Sequence, residues 1–295
     1  MAAVIAIARA DAERLGVFVP AGAARLVYLD PPFAVGVAFR ARGADGTRAH
    51  GPIAYLDSWP SIEGYLAWLE PRLLAAWAAV AVDGSLWLHL DHRAVHDAKV
   101  HAARLFGARA YRAEIIWVPG NGSKSRRGPG VTHQTILVFT RSKDFVWNAG
   151  DPALREPYAH TSLSMHFTHV DADGRRYRER HVGGKTYRYH ADRGRALGSV
   201  WSDCPAMLSN TPLRKETTGY PTQKPEKLLG RIVCGASLPG DLVVDSFMGS
   251  GTTLVAAAKA GRRAFGLDVG ELALETVRAR LGRESLGYDD RTHDA

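Results

Sequence analysis

Two short stretches carry residue types that can act together chemically. The first is Asp30-Pro31-Pro32-Phe33, directly after the apolar run 25–29. Two consecutive prolines cannot continue a strand ladder, so a strand stops here and its end is held stiff. A fixed carboxylate beside a backbone carbonyl can accept both N–H bonds of an exocyclic amine on a nucleic-acid base. That amine is a weak nucleophile because its lone pair is delocalised into the ring. Two preorganised acceptors localise the pair toward an electrophilic methyl group, and close placement does the rest. The Phe33 ring can stack on the base plane. Alone, the tetrapeptide could equally be a rigid loop.

The second stretch is 241–268, GDLVVDSFMGSGTTLVAAAKAGRRAFGLD from Gly240 onward. An apolar run reaches Asp245, a turn with Gly249 and Gly251 follows, and an Ala-rich segment suited to a helix comes next. Strand, glycine turn and helix form the start of a Rossmann-type unit, in which a nucleotide-like ligand lies over the turn. Asp268 ends the next apolar run, about 20 residues after the glycines, where an acid can accept hydrogen bonds from ribose hydroxyls. Leu254 stands where a dinucleotide fingerprint needs a third glycine, and Thr252-Thr253 stand where a P-loop needs Lys-Ser/Thr. Pyrophosphate and triphosphate cradles are thereby disfavoured. An adenosine ligand without phosphates, such as S-adenosylmethionine (SAM), suits the turn. A tight turn that binds nothing is the plainer alternative.

The elements that must position these residues follow from pattern. Residues 4–8, 25–30, 85–90, 114–118, 242–244 and 263–267 read as strands, most of them apolar runs of the buried parallel kind. Helical spacing appears at 59–82, 94–106 and 271–282, and Pro225 with Glu226 marks a helix start. The aromatics of 59–82 read as core. Residues 132–140 and 143–147 read as a hairpin or an antiparallel edge strand. Residues 34–57, rich in Gly, Arg and Ala, read as a long mobile loop of the kind used for lids, and the tail from Arg283 onward as frayed. Between 148 and 199 apolar runs give way to alternating aromatic and basic residues around Gly183-Gly184, a hairpin signature.

Lys+Arg number 38 against 30 Asp+Glu, a formal charge of +8, which fits a polyanionic partner. Candidate phosphate contacts are Arg40, Arg42, Arg48 and His50, then Lys124, Arg126 and Arg127 in the flexible run 119–130, then Arg175, Arg176, Lys185 and Arg188 in the middle segment. A solvated surface is the plainer reading of each group. Two cysteines without a CxxC pair disfavour a disulfide framework or a cysteine zinc site. No metal site is expected. The longest apolar run, 73–82, is too short to cross a bilayer, and the first residues lack a basic secretion signal. These features read as a cytoplasmic protein with no membrane partner.

Together the stretches resemble the amino-methylating DNA methyltransferases of the permuted β group, which act on adenine N6 or cytosine N4. In that family a D/N/S-PP-Y/F motif comes first, a target-recognition insertion lies in the middle, and a TQKP segment and an FxGxG loop follow. The matches here are 30–33, 148–199, 222–225 and 245–253, with weaker likeness at 10–12, 89–91 and 114–117. They cover nearly the whole chain, and TQKPE with GD.V.D.F.GSGTT in this order is highly specific. The resemblance implies an α/β, Rossmann-like class I SAM-dependent methyltransferase fold, circularly permuted, with a seven-stranded sheet that is mostly parallel and has one antiparallel strand. It implies a catalytic half at 1–147, an inserted recognition module at 148–199 and a SAM-binding half at 200–295.

By position, Asp30, Pro31, Pro32 and Phe33 would hold a flipped base. Asp245, Phe247, Gly249 and Gly251 would line the SAM pocket, with Thr252 bordering it. Thr222 and Lys224 would take the SAM carboxylate, Asp268 the ribose and Asp11 the adenine amine. The expected substrate is double-stranded DNA, with room for a homodimer and a companion restriction endonuclease. Adenine N6 is the preferred target, because Asp leads the tetrapeptide most often in adenine-specific relatives, with cytosine N4 the runner-up. RNA or protein amide methylation and a non-catalytic DNA-binding scaffold are the rivals. Cytosine C5 chemistry is disfavoured, since no Pro-Cys nucleophile occurs and Cys204 precedes its proline. Two departures stand out: Ala34 where relatives often have Asn, and Ser246 where proline is frequent.

Overall fold

The computed structural model describes residues 5–42, 50–120, 122, 125–207 and 215–292. Arg48 and Lys124 lie outside these. The chain forms two units, Met1–Trp147 with Ser199–Ala295, and Asn148–Gly198.

The first unit is built on one sheet. Its strands run in the order Val200–Trp201, Tyr111–Trp117, Gln134–Thr140, Val80–Leu90, Ala24–Leu29, Leu242–Asp245, Arg263–Asp268, Ile5–Arg9 and Tyr288–Asp290. All neighbours are parallel except at Gln134–Thr140, which is antiparallel to both of its partners. The inner seven strands give the sheet that the resemblance implies, and the two outermost are only two and three residues long. Apolar residues of the central strands, among them Val27, Leu29, Leu88, Val244 and Leu267, are completely buried. This is what a sheet covered on both faces requires. The permutation shows in one pairing: Val27 lies opposite Val244, joining strands from the two ends of the chain.

Helix Ile62–Ala79 buries Tyr65, Leu69, Leu73 and Ala76 in this core. It starts where the Ser61 side chain accepts the Gly64 N–H at 3.2 Å, a capping contact of the usual kind.

Three expectations need correction. Residues 134–140 form an interior antiparallel strand rather than an edge, because they pair with Val80–Leu90 on one side and Tyr111–Trp117 on the other. Within 34–57 the chain forms an antiparallel ribbon, Val37–Arg40 with Ile53–Asp57. Phe39 stacks on Tyr55 at 5.0 Å, a cross-strand pair that composition alone conceals. The tail is also ordered, with Tyr288–Asp290 pairing along Ile5–Ile7.

The second unit carries a three-stranded antiparallel sheet, His169–Val170, Arg176–Val182 and Lys185–His190. Gly183 and Gly184 form its hairpin turn with φ of 57° and 75°, a pair of left-handed values that two-residue hairpins need. Phe167 is fully buried, and the Arg178 guanidinium lies over the rings of Tyr158, Phe167 and Tyr189. No helix among the described residues is long and apolar enough to cross a membrane.

Candidate active site

Three adjacent parallel strands end in a carboxylate each. Asp30 follows Ala24–Leu29, Asp245 closes Leu242–Asp245, and Asp268 closes Arg263–Asp268. From this point the sheet continues in opposite directions, which opens a crevice at the carboxyl edge. A cavity of about 380 Å³ lies there. Asp30, Asp245, Asp268 and one ammonium, Lys224, are the carboxylate and cationic groups among its lining residues.

Each carboxylate is held differently. Asp268 Oδ2 accepts the Gly249 N–H at 3.0 Å and Oδ1 accepts the Gly270 N–H at 2.9 Å. The carboxylate thereby ties the glycine turn to the end of its own strand, while burial pushes its pKa up. Asp245 accepts from the Phe247 N–H at 3.1 Å. Burial dominates there too, and its carboxyl is pushed up to about 7. Asp30 Oδ2 accepts from Lys224 Nζ, whereas its Oδ1 is buried without a hydrogen-bond partner among the described residues. Burial raises Asp30 and the Lys224 ammonium opposes that rise.

The glycine turn is shaped for close approach. Gly249 has φ 46°, and a Cβ there would stand 3.2 Å from Tyr220 Cε1. Gly251 has φ 72° and serves another purpose. Its missing Cβ lets Val277 approach, since a Cβ there would stand 3.0 Å from Val277 Cγ2, and it starts helix Thr252–Lys259. Thr252 donates to the Lys224 carbonyl at 3.1 Å and accepts from the buried Arg280 at 2.8 Å, fixing the segment before helix Glu226–Ala236 against the turn.

The DPPF turn has its own supports. The carboxylate of Asp57, almost fully buried, accepts the N–H groups of Phe33 and Val35. Tyr65 donates its hydroxyl to the Pro32 carbonyl at 2.9 Å. The Phe33 ring lies 6.0 Å from that of His89 and 5.2 Å from Lys224 Nζ. His89 is itself buried and bonded through Nδ1 to the Tyr28 hydroxyl at 2.7 Å, and burial drives its imidazole well below the usual range, so the ring is neutral.

The cavity lining therefore gathers Asp30, Pro32, Thr222, Lys224, Asp245, Phe247, Gly249, Thr252 and Asp268 from the residues expected by sequence. Pro31, Phe33, Gly251 and Asp11 are not in the lining. Asp11 caps a short helical turn by accepting from Glu13 N at 3.0 Å, and its other oxygen pairs with Arg72 at 2.5 Å. That guanidinium lies 4.3 Å over the Trp68 ring, so Asp11 reaches the cavity only through a neighbour. Trp59, Trp68, Tyr55 and Tyr220 line the cavity without having been expected to. Helical spacing assigns Trp68 to the core, and it packs against the core half-buried while also lining the cavity beside Phe247 at 6.0 Å. Tyr55 comes in on the ribbon and bonds to the Thr222 hydroxyl at 3.0 Å.

The candidate phosphate contacts divide. In the first unit, Arg40 donates to the Gly51 carbonyl at 2.9 Å, the Arg42 backbone N–H bonds to the Gly219 carbonyl, and Arg126 and Arg127 are exposed. In the second unit, Arg175 pairs with Asp192 and Arg188 with Glu179. Arg176 donates to the carbonyls of Leu163 and Phe167, closing the end of helix His160–His166. Lys185, at the hairpin turn, is exposed.

The site is concave, rich in carboxylates, walled by aromatic rings, and holds one cation where a phosphate binder would need several. That chemistry fits a cationic nucleoside ligand. Comparisons agree. The model of the N6/N4 DNA methylase family matches residues 24–279. The type II methyltransferase M.EcaI of Enterobacter cloacae is 26% identical, over 90% of this chain and 66% of that protein. The DNA adenine methyltransferase YhdJ of Escherichia coli is also 26% identical, over 85% of this chain and 74% of its own length. The chain thus spans about two thirds to three quarters of these relatives. The solved M1.HpyAVI–SAM complex superposes with a TM-score of 0.55 at 19% identity, covering 94% of this chain and 98% of the other. With most of its length matched, the chain belongs to the N6/N4 DNA methylase family.

Proposed function

We propose that the chain is a DNA methyltransferase that transfers a methyl group from SAM to the exocyclic amine of a flipped base, with adenine N6 as its target. The observation that carries this reading is Asp30 Oδ1, a buried carboxylate oxygen with no hydrogen-bond partner among the described residues, on the DPPF turn beside the cavity. Such an oxygen is costly unless an N–H reaches it. The second acceptor is a prolyl carbonyl. Tyr65 bonds to that of Pro32, and we assign the second acceptor to the Pro31 carbonyl.

The residues present fit SAM. Three carboxylates against one ammonium favour a ligand that carries sulfonium and ammonium charges. The turn at Gly249 is open where a Cβ would meet Tyr220, and Trp68 with Phe247 forms an aromatic wall for an adenine ring. Asp268 would take the ribose hydroxyls, Asp245 and Phe247 the adenosyl portion, and Thr222 the methionine end. When bound, SAM supplies an electrophilic methyl group. Asp30 and the Pro31 carbonyl would orient the amine and polarise its N–H bonds toward that methyl group, whose bond to sulfur would break as the bond to nitrogen forms. Asp30 is also placed to receive the proton the amine must lose. The amine itself would be the nucleophile, so no covalent enzyme intermediate is needed.

Adenine is favoured by Asp at the first position of the tetrapeptide and by the DNA adenine methyltransferase among the relatives. The substrate is double-stranded DNA, approached by exposed cations such as Arg126, Arg127 and Lys185. The test uses methyl-labelled SAM and unmethylated duplex DNA with the wild type and Asp30→Ala. Label should enter DNA only with the wild type, while both proteins bind SAM. An equally active variant would remove Asp30 from the mechanism, and transfer to RNA or protein instead of DNA would overturn the substrate.

A further inference from the structure

The three carboxylates of the cavity are held by different partners. Asp268 and Asp245 accept backbone N–H groups, at 2.9 to 3.1 Å. Among the described residues Asp30 has no such donor, and its one hydrogen-bonded partner is the ammonium of Lys224. That ammonium is itself confined. The Lys224 side chain is 7% exposed, its Nζ lies 5.2 Å over the Phe33 ring and 3.5 Å from the Thr222 carbonyl. Its backbone carbonyl is held by Thr252, which Arg280 holds in turn. The lysine therefore belongs as much to the DPPF turn as to the cofactor side of the cavity.

We infer that Lys224 is a positioning residue for the methyl acceptor: by gripping Oδ2 of Asp30 it leaves Oδ1 as the one open acceptor and keeps the carboxylate charged. This rests on the role given to Asp30 above. The physical need is plain. A carboxylate removed from water with no cation beside it takes up a proton. A protonated Asp30 would present a donor to an amine that requires an acceptor. The other titratable groups around Asp30 cannot substitute. Asp245 is a second buried carboxylate and brings no positive charge, and Tyr28, Tyr55, Tyr65 and Tyr220 are phenols that burial, with the nearby carboxylates, keeps neutral. His89, a buried base beside Phe33, is neutral and adds no positive charge. The assignment differs from the sequence expectation, in which Lys224 serves only the SAM carboxylate.

The test compares wild type, Lys224→Met, Lys224→Gln and Lys224→Arg. The Asp30 carboxyl is titrated by carbon-13 NMR in the ligand-free proteins, with its signal assigned by loss in Asp30→Asn. The Asp30 midpoint should rise by about one pH unit or more in Lys224→Met and Lys224→Gln, and stay near the wild-type value in Lys224→Arg. In single-turnover methylation the acid limb should move up by the same amount, with transfer at neutral pH down about tenfold and recovering at higher pH. SAM affinity should change by less than about threefold. An unmoved Asp30 midpoint in both neutral variants overturns the inference. So does a large loss of SAM affinity with an unmoved acid limb, which would return Lys224 to the cofactor carboxylate alone. A shifted midpoint in a protein that methylates no DNA would support the inference and sink the proposed function, so the two failures are distinguishable.

Discussion

The carboxylate of Asp57 accepts the backbone N–H of Phe33 at 3.0 Å, and its second oxygen accepts that of Val35 at 3.1 Å. One buried side chain at the end of the Ile53–Asp57 ribbon strand thus clamps the turn that presents Asp30. Asp57→Ala would leave two buried N–H groups unsatisfied, at a cost of about 1–3 kcal/mol each. The expected result is a lower thermal midpoint and transfer reduced by about a hundredfold, with SAM affinity changed far less. Transfer at the wild-type rate would show that the clamp does not matter for catalysis.

The turn that this clamp holds also contains a departure from the family pattern. Ala34 has φ 59°, the left-handed region that Asn tolerates better than Ala. Position 34 is where relatives often carry Asn. Ala34→Asn should therefore stabilise the protein by about 0.5–1 kcal/mol in chemical denaturation. A destabilised variant would mean that the Asn side chain clashes in a turn already fixed by Asp57.

Asp245 makes the pH dependence predictable. Its carboxyl is pushed up to about 7 from an ordinary 3.8. Between those values the folded chain holds a proton that the unfolded chain has released, so this group's contribution to stability falls as pH rises through that window. A cationic ligand favours the ionised form. SAM should bind more tightly at about pH 8 than at about pH 6, with proton release near neutrality seen by calorimetry in buffers of different ionisation enthalpy. Asp245→Asn should flatten this dependence. A flat wild-type profile would contradict the placement of SAM beside Asp245.

The two glycines of the turn separate binding from folding. Gly249→Val would push a side chain toward Tyr220 at the cavity and should abolish measurable SAM binding while the protein still folds. Gly251→Ala would set a Cβ about 3.0 Å from Val277 at φ 72°, so stability should fall by about 1–3 kcal/mol. SAM affinity of the folded fraction should stay near normal. The reverse pattern would exchange the two roles.

Much of this site was legible because its chemistry sits at strand ends. Asp30, Asp245 and Asp268 each close an apolar run, and a parallel sheet brings such ends together whatever the loops between them do. What pattern could not reach came from elsewhere. The ribbon within 34–57 is pinned by one aromatic pair and by Asp57, and neither leaves a periodic trace. Trp68 sits on a helix whose spacing says core, and only its position beside Phe247 turns it toward the cavity. Asp11 is expected by position in the family to take the adenine amine, yet Arg72, far along the chain, claims its carboxylate. Lys224 is the clearest case. Its place in the TQKP segment points to the cofactor, and only the folded chain brings it to Asp30.

If the Asp30 turn presents a base amine to SAM, the methylated base itself is the most direct readout. The purified protein is incubated with deuterium-labelled methyl SAM and unmethylated duplex DNA, and the DNA is digested to nucleosides and read by mass spectrometry. The expected product is labelled N6-methyladenine, absent when Asp30→Ala replaces the wild type. Labelled N4-methylcytosine would keep the site and its mechanism and overturn the choice of base. No labelled nucleoside from single- or double-stranded DNA, by a protein that binds SAM, would contradict the role of the Asp30 turn itself.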